Sequence, residues 1–121
     1  MFIDKNPNPY GKLVGDCVIR AISIATGMSW DKTYIKLALQ GFSMGDMPSS
    51  NSVWGAFLQD NGFIKDVCRW CGSVREFCES HSHGAYILAT GSHVIAVIDG
   101  NYYDTWDSGD EYPVFYFKKE E

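Results

Sequence analysis

The hydrophobic period of this chain changes once, at Gly84, and that change limits the folds open to it. Before it, apolar residues recur at helical spacing: Val18, Ala21, Ile22 and Ala25, then Trp30, Tyr34, Leu37 and Ala38, then Val53, Phe57 and Leu58. After it they follow a period of two. Tyr86 to Ala89, His93 to Ile98, Tyr102 to Trp106 and Pro113 to Phe117 read as strands, the last near a sheet edge because of Pro113. Helices first and strands second is the pattern of an α+β domain with N-terminal helices packed on a C-terminal antiparallel sheet.

Punctuation refines the reading. Asp16 is a candidate N-cap for a first helix closed by Gly27, Ser29 opens a second that stops at Gly41, and residues 41–49 read as a loop. The third helix runs from about Asn51 to Asp60, residues 63–67 form a short strand, and a short helix fits Val74 to Ser80. Residues 1–14, broken by Pro7, Pro9 and Gly11, read as an extended leader without regular structure. The length of 121 residues fits one domain, residues 1–121, able to bury a core without metal or disulfides.

A net charge of −5 without a basic stripe argues against nucleic-acid binding. No apolar run reaches the length of a membrane span, and the N-terminus has no apolar signal core, so the expected compartment is a reducing cytoplasm with free thiols. Oligomeric state leaves no trace in the sequence.

Chemistry concentrates in three residues. Cys17 stands at the first turn of the first helix, where orphan amides and the helix dipole favour a thiolate. Gly15 permits close backbone approach, and the Cys17 amide can donate to an oxyanion. Taken alone, a cysteine is more often a small buried hydrophobe. His93 opens an apolar strand. If Asp99 and Gly100 are the two turn residues of a hairpin, Ile98 pairs with Asn101, Ile95 faces Asp104 and His93 faces Trp106. His93 and Asp104 then share a sheet face, one pair apart on the diagonal. A three-residue loop would put Asp104 on the other face. Nucleophile, base and orienting acid are the roles these three types can fill.

Other signals compete. Cys68, Cys71, Cys78 and His81 supply four possible zinc ligands at irregular spacing, against a reading of ordinary packing. Asp104, Asp107, Asp110 and Glu111 lack EF-hand spacing and read as a solvated loop. Arg20, one turn after Cys17, reads as a structural ion pair, and Trp106 as a shield for His93 or plain core.

The segment Gly15-Asp16-Cys17-Val18-Ile19-Arg20-Ala21-Ile22 resembles the nucleophile helix of small papain-like cysteine peptidases of phages and bacteria. Ser92 to Gly100 followed by Tyr102 to Trp106 resembles their histidine and aspartate hairpin, and bacteriocin-processing peptidase domains share the broader pattern. The resemblance covers roughly a quarter of the chain. It implies a papain-like fold, no cofactor or metal, and thiol hydrolysis of a peptide or isopeptide bond in a protein or peptide substrate. Cys17, His93 and Asp104 would form the triad. The sequence departs from the family in one place: the glutamine usual a few residues before the nucleophile is absent from Gly11 to Asp16, leaving Asn6 or Asn8 as substitute oxyanion donors if the leader folds back. That departure favours the alternative of an inactive papain-like binding module that engages a host or phage protein.

Overall fold

The computed structural model describes residues 1–120. Four helices, α1 (Cys17–Thr26), α2 (Trp30–Met44), α3 (Asn51–Asp60) and α4 (Val74–Ser80), accompany six strands. These are β1 (Phe2–Asp4), β2 (Phe63–Val67), β3 (Ala85–Ala89), β4 (Val94–Ile98), β5 (Asn101–Asp104) and β6 (Phe115–Lys119). They form one sheet in the order β1-β5-β4-β3-β6-β2. The architecture is α+β.

The alternation after Gly84 sorts side chains onto two faces. Ile87, Ala89, Val94, Ala96 and Phe117 pack against α1, α2 and α3, through Ile22, Leu37, Trp54 and Leu58. Tyr86, Leu88, Ile95, Val97 and Tyr102 pack against Val74, Phe77 and Cys78 of α4. Both faces of β3 and β4 are therefore covered, which explains their nearly unbroken apolar sequence. Local signals fix the helix ends. Ser73 and Glu76 form a capping box at α4, Ser29 accepts from the Lys32 amide at α2, and Gly27 ends α1 in the left-handed conformation.

The β4–β5 hairpin has the expected register, with Ile98 opposite Asn101 and Ala96 opposite Tyr103. Asp99 and Gly100 both have positive φ, 49° and 79°, as a two-residue type I′ turn requires.

Four expectations are corrected. The leader is not wholly irregular: β1 lies parallel to β5, with Asp4 beside Asp104, so the sheet is mixed rather than antiparallel. Helix α2 passes through Gly41 to Met44, because Gly41 is a site of close approach and not a stop. A Cβ there would lie 2.7 Å from the Asp46 carbonyl oxygen. The last strand begins two residues after Pro113 and lies between β3 and β2, so it is interior. Cys68 and Cys71 are joined as a disulfide, leaving Cys17 and Cys78 as the free thiols. No helix among the described residues is long and apolar enough to cross a membrane.

Candidate active site

The start of α1 is unusual in what it leaves open. Asp16 occupies the N-cap position but makes no capping bond. Its carboxylate instead accepts from Arg20 Nη1 and, at 2.9 Å, from Trp30 Nε1. The amides of Cys17, Val18 and Ile19 have no hydrogen-bond acceptor among the described residues. Three unsatisfied donors and the positive end of the helix dipole thus surround the position where a thiolate would sit.

The tight turn between β3 and β4, closed by the Thr90 amide on the His93 carbonyl at 2.8 Å, carries His93 to this helix tip. His93 Nε2 lies 2.6 Å from Asp104 Oδ2. With Nε2 so engaged, Nδ1 is the ring nitrogen left for the Cys17 sulfur. The thiol and the ring line one recess, and each shifts the other's titration.

The two shifts run in complementary directions. Partial burial raises the Cys17 pKa, but the His93 ring, the Val94 amide donating to sulfur, and the Arg20 charge together outweigh it, and the thiol ends below its ordinary value. Burial pulls His93 down, yet Asp104 and Cys17 bring it up to about 9. Both shifts favour a thiolate–imidazolium pair. The sulfur is half-buried, not sealed in the core, so it remains reachable.

Asp104, at the end of β5, is only 3% exposed. Burial penalises its charge, but His93, the Ser108 hydroxyl and the Thr105 amide more than compensate, and the carboxyl stays below its usual range. Ser108 Oγ donates to Oδ2 at 2.7 Å, Thr105 N donates to Oδ1 at 2.8 Å, and Arg20 Nη2 stands 3.6 Å from Oδ1. Arg20 therefore ties α1 to the carboxylate that holds the histidine. Trp106 lies over the imidazole at 5.1 Å between ring centroids, tilted by 31°, and is half-exposed, so it screens one side of the ring.

The segment bearing Trp106 and Ser108 is held from the far side of the sheet. Arg75 of α4 bridges Asp107 and Asp110, the Tyr102 hydroxyl donates to Asp107, and the Arg75 amide donates to the Gly109 carbonyl. A side chain at Gly109 would collide with the Tyr102 hydroxyl and the Arg75 guanidinium. Ser108, 1% exposed, is thereby pressed against Asp104. Ser108→Ala is expected to cost about 1.5–3 kcal/mol of unfolding free energy, the range for a hydrogen bond to a charged group. It should also raise the His93 pKa, because Asp104 stays ionised and its Oδ2 loses a donor that competes with the imidazolium. Urea melts and an NMR titration of the His93 imidazole check the two effects.

Of the residues singled out from sequence, Cys17, His93 and Asp104 converge. The two leader asparagines do not reach the recess that Cys17 and His93 line. Asn6 Nδ2 donates to the Lys12 carbonyl at 3.1 Å and is engaged within the leader. Asn8 is buried, and its Oδ1 accepts from the Tyr10 amide at 2.9 Å, but its Nδ2 makes no hydrogen bond to any described residue. The zinc set does not assemble. Cys68 and Cys71 bond to each other, His81 stacks on Phe77 at 3.8 Å with Nδ1 on the Phe77 carbonyl, and no group of three such ligands gathers among the described residues. Ser108 carried no signal in the sequence, since serine in a loop is ordinarily a turn former.

Comparison with protein-family models, with curated proteins and with solved structures finds no match to this chain. The functional reading rests on the geometry of the site.

Proposed function

We propose that this chain is a thiol-dependent hydrolase of papain-like type that cleaves a peptide or isopeptide bond. The observation that carries the reading is the meeting of Cys17, at an uncapped helix start, with a His93 ring fixed by the buried Asp104. Hydrophobic packing alone gives no reason to gather a thiol, an imidazole and a carboxylate whose titrations are shifted toward an ion pair.

The chemistry follows from those positions. The Cys17 thiolate attacks the carbonyl carbon of the scissile amide, and the π electrons move to oxygen. The Cys17 amide donates to that oxyanion, and neither leader asparagine reaches the recess to add a second donor. The tetrahedral species collapses as imidazolium gives its proton to the departing amine, leaving a thioester. Neutral His93 then takes a proton from water, hydroxide adds to the thioester, and the thiolate leaves, restoring the ion pair. Asp104 remains ionised throughout and holds the ring.

A second reading keeps the same fold without turnover, as a binding module for a host or phage protein. It is favoured by the lack of a side-chain amide between Gly11 and Asp16. Incubation with a proteome-derived peptide library separates the two. The hydrolase should generate new peptide termini detectable by mass spectrometry, and Cys17→Ala should abolish them. Absence of new termini, with a biological effect that survives Cys17→Ala, selects the binding module.

A further inference from the structure

One sequence signal lies outside the proposed active site: the segment Cys68-Arg69-Trp70-Cys71, which joins β2 to α4. Its disulfide closes a ring between residues three positions apart. A cross-link stabilises a fold largely by shortening the loops of the unfolded chain, and it does least when the loop it closes is this short. The folded segment does not depend on the bond either. The Cys68 amide donates to the Val114 carbonyl at 2.9 Å, and shortly after Cys71 the capping box of Ser73 and Glu76 fixes the start of α4. Both ends of the segment are held whether or not the sulfurs are joined. As a staple the bond is redundant.

Its surroundings suit a bond that exchanges. Both cysteines are half-buried, and the tip between them stands in solvent, with Trp70 97% exposed. Exposed disulfides are the ones an external thiolate reaches, and they are the more easily reduced. The two sulfurs are not equivalent. Cys71 packs against the cluster of Val74 and Phe77 under α4, whereas Cys68 belongs to neither core cluster. Cys68 is the open side. Charge favours the same chemistry. Arg69 is exposed and forms no ion pair among the described residues. The carboxylate closest to it in sequence, Asp66, already accepts from the Val67 amide and the Tyr116 hydroxyl. A guanidinium between two cysteines attracts an incoming thiolate and stabilises a departing one.

We propose that the Cys68–Cys71 pair is a second reactive centre, a thiol–disulfide exchange site whose reaction partner is a dithiol. One thiolate of the dithiol attacks Cys68 Sγ. The Sγ–Sγ bond breaks, its electron pair passes to Cys71 Sγ, and that sulfur takes up a proton. The partner's second thiol loses its proton and attacks the partner's own sulfur in the mixed disulfide. The partner leaves with an internal disulfide, and Cys68 leaves as a thiolate and is protonated. Two electrons and two protons pass from the dithiol to the pair, and the reverse sequence reoxidises it. A monothiol suits the site poorly. Cys71 stays beside the mixed disulfide at high effective concentration and expels the monothiol before a second molecule arrives. Because the segment is held at both ends without the bond, the change is confined to the loop. The site does not involve Cys17, so it stands apart from the hydrolase reading.

Equilibration of the full chain with mixtures of oxidised and reduced dithiothreitol tests it, with free thiols trapped by N-ethylmaleimide and assigned by peptide mass spectrometry. At least half of the Cys68–Cys71 pair should be reduced while the oxidised reagent is still in about tenfold excess. Far-ultraviolet circular dichroism should not change across the series. In single variants, the Cys68 thiol of Cys71→Ser should react with glutathione disulfide about tenfold faster than the Cys71 thiol of Cys68→Ser. Arg69→Glu should slow reduction of the disulfide several-fold. A pair still mostly oxidised at that excess, or one reduced only with loss of the dichroism, is a structural cross-link and overturns the proposal. A Cys71 thiol as fast as the Cys68 thiol, or an unchanged rate in Arg69→Glu, overturns it as well. Cys17 is read from its own peptide. A Cys17 that alkylates like an ordinary thiol would end the hydrolase reading and leave this result standing.

Discussion

In a His93→Ala variant, alkylation of Cys17 below pH 7 is expected to fall by at least tenfold, and its pH profile to move up to that of an ordinary cysteine. A free thiol of pKa about 8.5 is only about 0.3% ionised at pH 6, so a thiol that loses its imidazolium partner loses most of its thiolate there. The effect is softened because a less acidic thiolate is intrinsically more nucleophilic. Rates with iodoacetamide between pH 5 and 10 give the measurement. A profile unaffected by the substitution would mean that sulfur and ring act independently.

The same pair sets a pH window, and the two signs are opposite. His93 is raised from its ordinary value of 6.5 to about 9, so its contribution to stability is complete below about 6.5 and disappears as pH rises through about 9. Cys17 is lowered from 9.0, so its contribution is present above that value and is lost as pH falls through the folded-state pKa. The charged pair occupies the interval between the two folded-state values, whose alkaline limit lies near 9.

The largest expected loss of stability comes from Arg20→Met. Arg20 and Asp16 form an ion pair with side chains only 8% and 5% exposed, and the same guanidinium approaches Asp104, whose side chain is 2% exposed. Removing it leaves two carboxylates buried without their shared cation. Deleting one partner of a buried pair typically costs about 3–5 kcal/mol, against a total of about 5–15 kcal/mol for an ordinary domain. Asp16 would still have Trp30, and Asp104 would still have His93 and Ser108, so the lower half of that range is expected. Chemical denaturation measures it directly. A loss under 1 kcal/mol would show that the guanidinium is not the cation these carboxylates depend on.

Much of this arrangement was legible because it is local. A two-residue turn at Asp99-Gly100 determines every pairing of β4 with β5, and from that register alone His93 and Asp104 fall on one face. The start of α1 was equally readable, although the Asp16 carboxylate serves Arg20 and Trp30 instead of capping the helix. What escaped was non-local. Phe2-Ile3-Asp4 is too short to display a period, and its partner strand begins almost a hundred residues later. The interior place of β6 depends on pairing with both β3 and β2, which no single segment announces. Ser108 bonds a carboxylate only four positions away, yet its part depends on where the fold sets the end of β5 against the His93 turn.

The surroundings of Asp104 bear on which residue types that position tolerates. Oδ1 faces the Thr105 amide and the Arg20 guanidinium, neither of which can ever accept a hydrogen bond. An asparagine there would have to turn its NH2 toward the other side, where the serine hydroxyl can rotate to accept but the imidazole can do so only as its Nδ1-protonated tautomer. That tautomer points N–H at sulfur and has no lone pair with which to receive the thiol proton. In this framework the isosteric amide is a tautomeric trap, and the full negative charge of aspartate is what keeps the ring facing its task the right way round.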